Sequence, residues 1–208
     1  MNKVQNNLAK MATGDAKVIA VTKYQTDEDV ELAYETGIRD FGENRVDMML
    51  ERQKQFEGRE ITWHLIGNLQ RRKVREIIDT IDYFHALDSV KLAQEIEKRA
   101  TKKVKCFIEV NISREDSKHG IFEEDLEQFA SELQGLEKVE IVGIMTMAPY
   151  DAEHDELIEI FTKAEQLRLK LKKIYNTANQ LSAGMSRDFA EAVECGSTMV
   201  RIGSALFV

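Results

Sequence analysis

Lys23 is the first residue in this sequence whose type and position could do covalent chemistry. It follows the apolar and β-branched run Val18-Ile-Ala-Val-Thr22 and precedes polar turn residues, so we expect it half out of water at the end of a buried strand. Loss of hydration favours the neutral amine, which is the form that attacks carbonyl carbons and forms Schiff bases. The alternative is a lysine that only ends the strand and extends its charge to solvent.

Glycine and serine residues near the C-terminus have the pattern of a phosphate-binding site. Ser186 is a good N-cap for a helix predicted over residues 187–194, and a helix N-terminus offers an anion free N–H groups and a favourable dipole. Gly203 allows close backbone approach after the last predicted strand, and Ser204 adds a hydroxyl and an N–H. The alternative for Ser186 is a helix cap without a ligand.

A reactive lysine opposite a phosphate-binding site indicates pyridoxal 5′-phosphate (PLP), with Lys23 at its aldehyde. Arg201 then has a partner in the ring nitrogen. A guanidinium only donates hydrogen bonds, so it leaves that nitrogen unprotonated and suppresses carbanion chemistry. The alternative is a salt bridge from Arg201 to Asp188 or Glu43.

The elements that must position these residues alternate strictly between strand and helix. About eight strands, nearly every one followed by a helix, predict a parallel sheet. Their number and the chain length fit one (β/α)₈ TIM barrel domain over residues 1–208, with a leading helix within residues 1–13. An open doubly wound sheet is the alternative, disfavoured because no Gly-x-Gly-x-x-Gly follows the first strand.

In such a barrel the C-terminal ends of the strands form the functional face. This face contains no metal-ligand pattern, no carboxylate pair for a glycosidase and no Gly-x-Ser-x-Gly elbow for a hydrolase. Besides the residues above, the strand ends carry Glu43, Asn44, His64, Asn111, Ser113, Met145, Thr146 and Ser182.

Composition narrows the class of protein further. The 208 residues are 43% hydrophobic and 32% charged, with a net charge of −8 and scattered basic residues, which disfavours nucleic acid and anionic membranes as partners. We find no apolar run of membrane-spanning length and no signal-peptide core. Cys106 and Cys195 are not in a Cys-x-x-Cys pair, so we expect reduced thiols in a cytoplasmic protein.

Seven motifs spread over essentially the whole chain resemble the pyridoxal phosphate homeostasis proteins, relatives of the alanine racemase N-terminal domain. Besides the run from Val18 to Thr26, they are Phe41-Gly-Glu-Asn44, His64-Leu-Ile-Gly-Asn-Leu-Gln70, Glu109-Val-Asn-Ile-Ser113 with Ser117-Lys-His-Gly120, Gly143-Ile-Met-Thr-Met147, Leu181-Ser-Ala-Gly-Met-Ser-Arg-Asp188 and Gly196-Ser-Thr-Met-Val-Arg-Ile-Gly203. Two positions depart from the family pattern: Ala183, where methionine is common, and the basic run Arg71-Arg72-Lys73, which changes the charge of the barrel mouth.

The resemblance implies a fold-type III barrel that holds PLP as an aldimine of Lys23, with Arg201 facing the pyridine nitrogen. By the same motifs, the phosphate is held by Ser182, Ser186, Gly203 and Ser204. Asn44 is expected near the ring, and His64 and Met145 are expected to line the pocket.

The resemblance also implies a role in vitamin B6 homeostasis, with effects on amino-acid pools, rather than catalytic turnover. Apo-PLP enzymes are then possible recipients of the cofactor. The alternative is a PLP-dependent amino-acid racemase, which needs a base on each face of the cofactor. Racemases take the second base, a tyrosine, from another domain, and only five residues follow Gly203 here, so we expect a carrier and a monomer. A third hypothesis is non-covalent binding of another phosphate ester.

Overall fold

The computed structural model describes residues 2–115 and 117–208. Eight parallel strands pair in sequence order, and β8 pairs with β1 to close a barrel. The closed barrel confirms the predicted (β/α)₈ fold and rules out an open sheet. The strands are β1 (Lys17–Val21), β2 (Asp40–Glu43), β3 (Thr62–Leu65), β4 (Tyr83–Leu87), β5 (Val104–Glu109), β6 (Val139–Met145), β7 (Gln180–Met185) and β8 (Met199–Ile202).

Helices follow the strands and cover the outside of the barrel. The predicted leading helix is present as α1, which begins with a capping box between Asn2 and Gln5. The helices are α1 (Lys3–Lys10), α2 (Asp27–Glu35), α3 (Val46–Gln55), α4 (Val74–Ile77), α5 (Val90–Arg99), α6 (Leu126–Glu132), α7 (His154–Lys172), α8 (Phe189–Glu194) and α9 (Ser204–Phe207).

The strands are almost wholly buried because helices cover one face and side chains fill the barrel on the other. Every residue of β2, β4 and β8 is buried. The predicted apolar stripe of α7 is also buried against the strands, from Leu157 to Leu171. No helix in the described part of the chain is long and apolar enough to cross a membrane.

Three differences from the sequence prediction affect how the ends of the barrel are built. Glu43 ends β2 instead of starting a helix, because its carbonyl accepts the N–H of Ile66 and continues the pairing with β3. The helix predicted over residues 70–80 is a 3₁₀ turn, Arg71–Lys73, followed by the short α4. The last residues form α9, which was not predicted, and Asn7 of α1 donates to the carbonyls of Leu206 and Val208.

Candidate functional site

Lys23 lies on the turn after β1, two residues beyond the end of the strand. The turn is closed by a 3.0 Å hydrogen bond from the Gln25 N–H to the Thr22 carbonyl. Lys23 is exposed, so the expectation that it is half-buried is wrong, because the strand ends earlier than predicted. Tyr24 beside it is 91% exposed and has a left-handed backbone (φ 69°), an unusual conformation for a residue other than glycine.

A buried polar cluster of Thr22, Glu43 and Arg52 packs under the turn that carries Lys23. Thr22 donates its hydroxyl to Oε1 of Glu43 at 2.5 Å, and Arg52 donates to the carbonyl of Gln25 at 3.0 Å. Burial raises the pKa of Glu43, while Thr22, Arg52 and Lys23 oppose the shift. The cluster therefore fixes the backbone that carries Lys23. No local pattern in the sequence connects Arg52 with Lys23, because Arg52 lies 29 residues further along, on α3.

Asn44 follows β2 and is held by the turn after β3. A Cβ atom added to Gly67 would lie 2.1 Å from the carbonyl oxygen of Asn44, so only glycine allows the two turns to approach this closely. Met145, the last residue of β6, is buried at the same end of the barrel. Both residues therefore lie on the predicted functional face.

Ser186 and Gly203 meet as expected, but by a different arrangement from the one predicted. Ser186 does not cap α8: the N-cap is Asp188, whose carboxylate accepts the N–H of Met185. Instead, the hydroxyl oxygen of Ser186 accepts the N–H groups of Gly203 and Ala205, each at 3.2 Å. Two backbone donors at the start of α9 therefore converge on this hydroxyl, and the exposed Ser204 lies between them.

Arg201 is buried on β8 and bonded to neutral oxygen atoms. Its Nη1 lies 2.8 Å from the carbonyl oxygen and 2.7 Å from the hydroxyl oxygen of Ser182, and its Nη2 lies 3.0 Å from the carbonyl oxygen of Thr146. Within the described ranges it forms no salt bridge with Asp188 or Glu43, the alternative considered from the sequence. Burial lowers the pKa of Arg201 to about 10, opposed by the charges of Asp188 and Glu109, so the group stays cationic at neutral pH.

Ser182 and His64, both expected at the cofactor, are fully buried inside the barrel. Ser182 is fully buried, and its hydroxyl bonds Arg201 and His85. The Ser182 hydroxyl is thus engaged by Arg201 and His85, and not by the N–H groups of Gly203 and Ala205 that meet at Ser186. His64 is also fully buried, bonded to His85 and to Asp40 at the start of β2. Both side chains are therefore bonded to other side chains inside the barrel.

Glu109, at the end of β5, is a buried carboxylate whose role the sequence did not reveal. Its Oε2 is buried and has no hydrogen-bond partner among the described residues. Burial, with the negative charge of Asp88, raises the pKa of Glu109 to about 7, while Arg201 opposes the shift. Glu109 therefore changes charge near neutral pH at the same end of the barrel as Lys23. The described residues contain no group of histidine, cysteine and acidic side chains that could hold a metal ion.

Comparison with known proteins places this chain in a family. The family described as alanine racemase, N-terminal domain, matches residues 2–208. The pyridoxal phosphate homeostasis protein of Aquifex aeolicus is 35% identical, with 100% of this chain and 93% of that protein covered. The protein of the same name from Pasteurella multocida is also 35% identical, covering 96% of this chain and 88% of that protein.

Solved structures agree with the sequence comparisons. PipY of Synechococcus elongatus PCC7942, with PLP bound, is 30% identical and superposes with a TM-score of 0.90 over 99% of this chain and 100% of that one. Alanine racemase from Corynebacterium glutamicum, at 18% identity and a TM-score of 0.79, shares the fold over 60% of its own chain. This chain belongs to the alanine racemase N-terminal domain family and, within it, to the pyridoxal phosphate homeostasis proteins.

Proposed function

We propose that this protein binds PLP at the mouth of the barrel through Lys23 and acts as a carrier in PLP homeostasis. The observation that carries the proposal is the convergence of three groups on one face: the exposed amine of Lys23, the buried guanidinium of Arg201 and the backbone donors beside Ser186. These groups match an aldehyde, a ring nitrogen and a phosphate in turn. PLP in the structure of the similar PipY supports the same reading.

The turn after β8 fits the phosphate group. The N–H groups of Gly203 and Ala205 point to one place, where they now bond the Ser186 hydroxyl oxygen. A phosphate oxygen is a stronger, charged acceptor for the same donors, and the Ser186 hydroxyl can then donate to it. Ser204 adds an exposed hydroxyl at the rim.

Arg201 fits an acceptor such as the pyridine nitrogen. It makes three hydrogen bonds to the described residues, which leaves at least two of its five N–H groups for another acceptor. A guanidinium offers no proton acceptor, so it keeps the ring nitrogen unprotonated. An unprotonated pyridine stabilises carbanions poorly, which suits storage of the cofactor better than its use in catalysis.

Lys23 supplies the covalent bond. Its Nζ condenses with the aldehyde carbon, a C=N bond forms, and the aldehyde oxygen leaves as water. Asn44 and Met145 complete the pocket around the ring, whereas Ser182 and His64 act through Arg201. Because Lys23 is exposed, the bond is accessible to water and to the amines of a recipient apo-PLP enzyme.

The surroundings of the mouth favour a carrier over an amino-acid racemase. A racemase needs a second base within hydrogen-bond reach of the substrate, on the face opposite the lysine. Of the tyrosines expected near the strand ends, Tyr24 is 91% and Tyr150 is 81% exposed, and the Tyr150 ring packs against Arg187. Effects on amino-acid pools would then follow from the supply of PLP to other enzymes.

The test combines cofactor titration with two assays of function. We expect purified protein to bind PLP with a visible absorption band and to load an apo-PLP enzyme while an excess of an aldehyde trap consumes free PLP. Alanine racemisation at enzyme-like rates, on the order of 1–10³ s⁻¹, would contradict the carrier role. Absence of PLP binding would contradict the proposal as a whole.

A further inference from the structure

Five polar side chains, which we call the interior row, run through the barrel from Arg201 to the start of β2. Ser182 Oγ lies 2.7 Å from Nη1 of Arg201 and 2.9 Å from Nδ1 of His85. Nε2 of His85 lies 2.9 Å from Nδ1 of His64, and Nε2 of His64 lies 2.9 Å from Oδ1 of Asp40. All five residues are buried, and Asp40, at 8%, is the most exposed. Water therefore does not compete for these hydrogen bonds.

The two ends of the interior row fix the direction of every hydrogen bond in it. Arg201 can only donate, so the Ser182 oxygen must accept from it. At the other end an ionised Asp40 can only accept, so His64 must carry its proton on Nε2. A neutral His64 then accepts at Nδ1 from the Nε2–H of His85.

Because His85 carries its proton on Nε2, its Nδ1 is an acceptor. The Ser182 hydroxyl donates its proton to this nitrogen. Every donor in the row thus points towards Asp40. In the reverse direction the Ser182 proton would point at the guanidinium, and both ends of the row would lose a partner. One arrangement therefore satisfies all five side chains.

The ionisation states needed for this arrangement agree with the surroundings of the row. Burial lowers the pKa of His64, and the charge of Lys17 lowers it further. The carboxylates of Asp40 and Asp82 oppose this shift without reversing it. Burial, together with repulsion from Arg201 and from any protonated form of His64, holds the pKa of His85 well below its usual range. Burial opposes ionisation of Asp40, but the hydrogen bond from His64 and the ammonium of Lys17 lower its pKa overall. At neutral pH both histidines are neutral and Asp40 is ionised.

We propose that the interior row is a one-way hydrogen-bond chain in which His64 and His85, both as Nε2–H tautomers, hold the guanidinium of Arg201 in position for the cofactor's ring nitrogen. The negative end at Asp40 polarises each bond in the same sense, which makes the Ser182 oxygen a better acceptor for Arg201. The role for the cofactor rests on the proposed function. The tautomers do not, because they follow from the contacts of the protein alone.

Nuclear magnetic resonance of protein labelled with ¹⁵N-histidine, without cofactor, tests the direction of the row. At pH 7 we expect His64 and His85 to show one protonated nitrogen each, Nε2. The exposed His119 and His154 serve as reference signals. An Nδ1–H tautomer, or a doubly protonated ring, at either His64 or His85 would overturn the proposal.

Substitutions at Asp40 test the effect on the site, because this residue lies at the end of the barrel away from the mouth. Asp40→Leu removes the acceptor for His64, and we expect a shifted absorption of bound PLP and an affinity about tenfold lower, equal to about 1.4 kcal/mol. Asp40→Asn keeps an acceptor oxygen but loses the charge, so we expect unaltered tautomers and a smaller spectral shift than in Asp40→Leu.

Phe107→Leu is the matched control for a purely structural effect. Phe107 packs on His85 with ring centroids 4.4 Å apart but forms no hydrogen bond in the interior row. The substitution should therefore lower the stability of the protein and leave the PLP absorption unchanged. The same spectral shift in Phe107→Leu as in Asp40→Leu, or no shift in Asp40→Leu, would overturn the role for the cofactor. Failure of the unaltered protein to bind PLP would instead refute the proposed function, and the tautomers would still decide the direction of the row.

Discussion

The hydroxyl oxygen of Ser186 lies 3.2 Å from the backbone nitrogen of Gly203, which joins the turn after β7 to the turn after β8. The N–H of Ala205 reaches the same oxygen. These two turns are the usual place for a phosphate in a TIM barrel. Ser186 thus holds together the backbone donors that we assign to the cofactor's phosphate.

Ser186→Ala should weaken PLP binding through the phosphate alone. We expect the affinity for PLP to fall by about tenfold, the effect of losing one hydrogen bond to a charged group. Pyridoxal, which lacks the phosphate, should bind the variant and the unaltered protein equally well. Ser131→Ala, at an exposed position on α6, is the control. Equal losses for PLP and pyridoxal would place the phosphate elsewhere.

Glu109 should make the stability of the protein depend on pH near neutrality. Its pKa is raised from an ordinary value near 4.5 to about 7, so the folded state favours the protonated form. The stability due to this group is fully present below about pH 4.5 and is lost as the pH rises through about 7. The free energy of unfolding should therefore fall between pH 5 and pH 8.

Glu109→Gln should remove this part of the pH dependence, because an amide does not ionise. We expect the variant to gain about 2 kcal/mol relative to unaltered protein at pH 8 and little at pH 5. Urea unfolding at the two pH values measures the difference. The exposed Glu137→Gln should behave as unaltered protein. A gain from Glu109→Gln that is equal at both pH values would show that its carboxyl does not titrate in this range.

Gly67→Ala should separate the turns after β2 and β3. The added Cβ would lie 2.1 Å from the Asn44 carbonyl oxygen, so the backbone must move. We expect a loss of about 2 kcal/mol, or about 4–8 °C in Tm, together with weaker PLP binding as Asn44 shifts. Asn68→Ala changes the adjacent, exposed residue and should have neither effect. Unchanged Tm in Gly67→Ala would refute the close approach.

Much of the fold could be predicted from the sequence because each element carries a local signal. β6 occupies residues Val139–Met145 as predicted, and the apolar spacing of α7 is visible over five turns. Strict alternation of strands and helices predicts a parallel sheet, and eight strands in 208 residues favour its closure into a barrel. The start of α8 was misassigned because Ser186 and Asp188 are both good N-cap residues. The hydroxyl of Ser186 instead accepts the N–H groups of Gly203 and Ala205, which lie too far along the chain for a local pattern to show.

The interior of the barrel could not be predicted in the same way. His85 and Ser182 are 97 residues apart in sequence and meet only when the barrel closes. Glu109 lies at the buried end of β5, and its pKa is raised by burial and by the charge of Asp88, which follows β4. Local patterns specify which residues face inward, whereas their partners depend on strand order and register.

Lys23 provides the most direct test of the central claim, that one lysine at the barrel mouth holds PLP. Protein loaded with PLP is reduced with borohydride, digested and analysed by mass spectrometry. We expect the reduced adduct on Lys23, its loss in Lys23→Ala, and its retention in Lys17→Ala, which changes the lysine at the opposite end of β1. An adduct that persists in Lys23→Ala at the unaltered level, or that forms only on other lysines, would contradict the account.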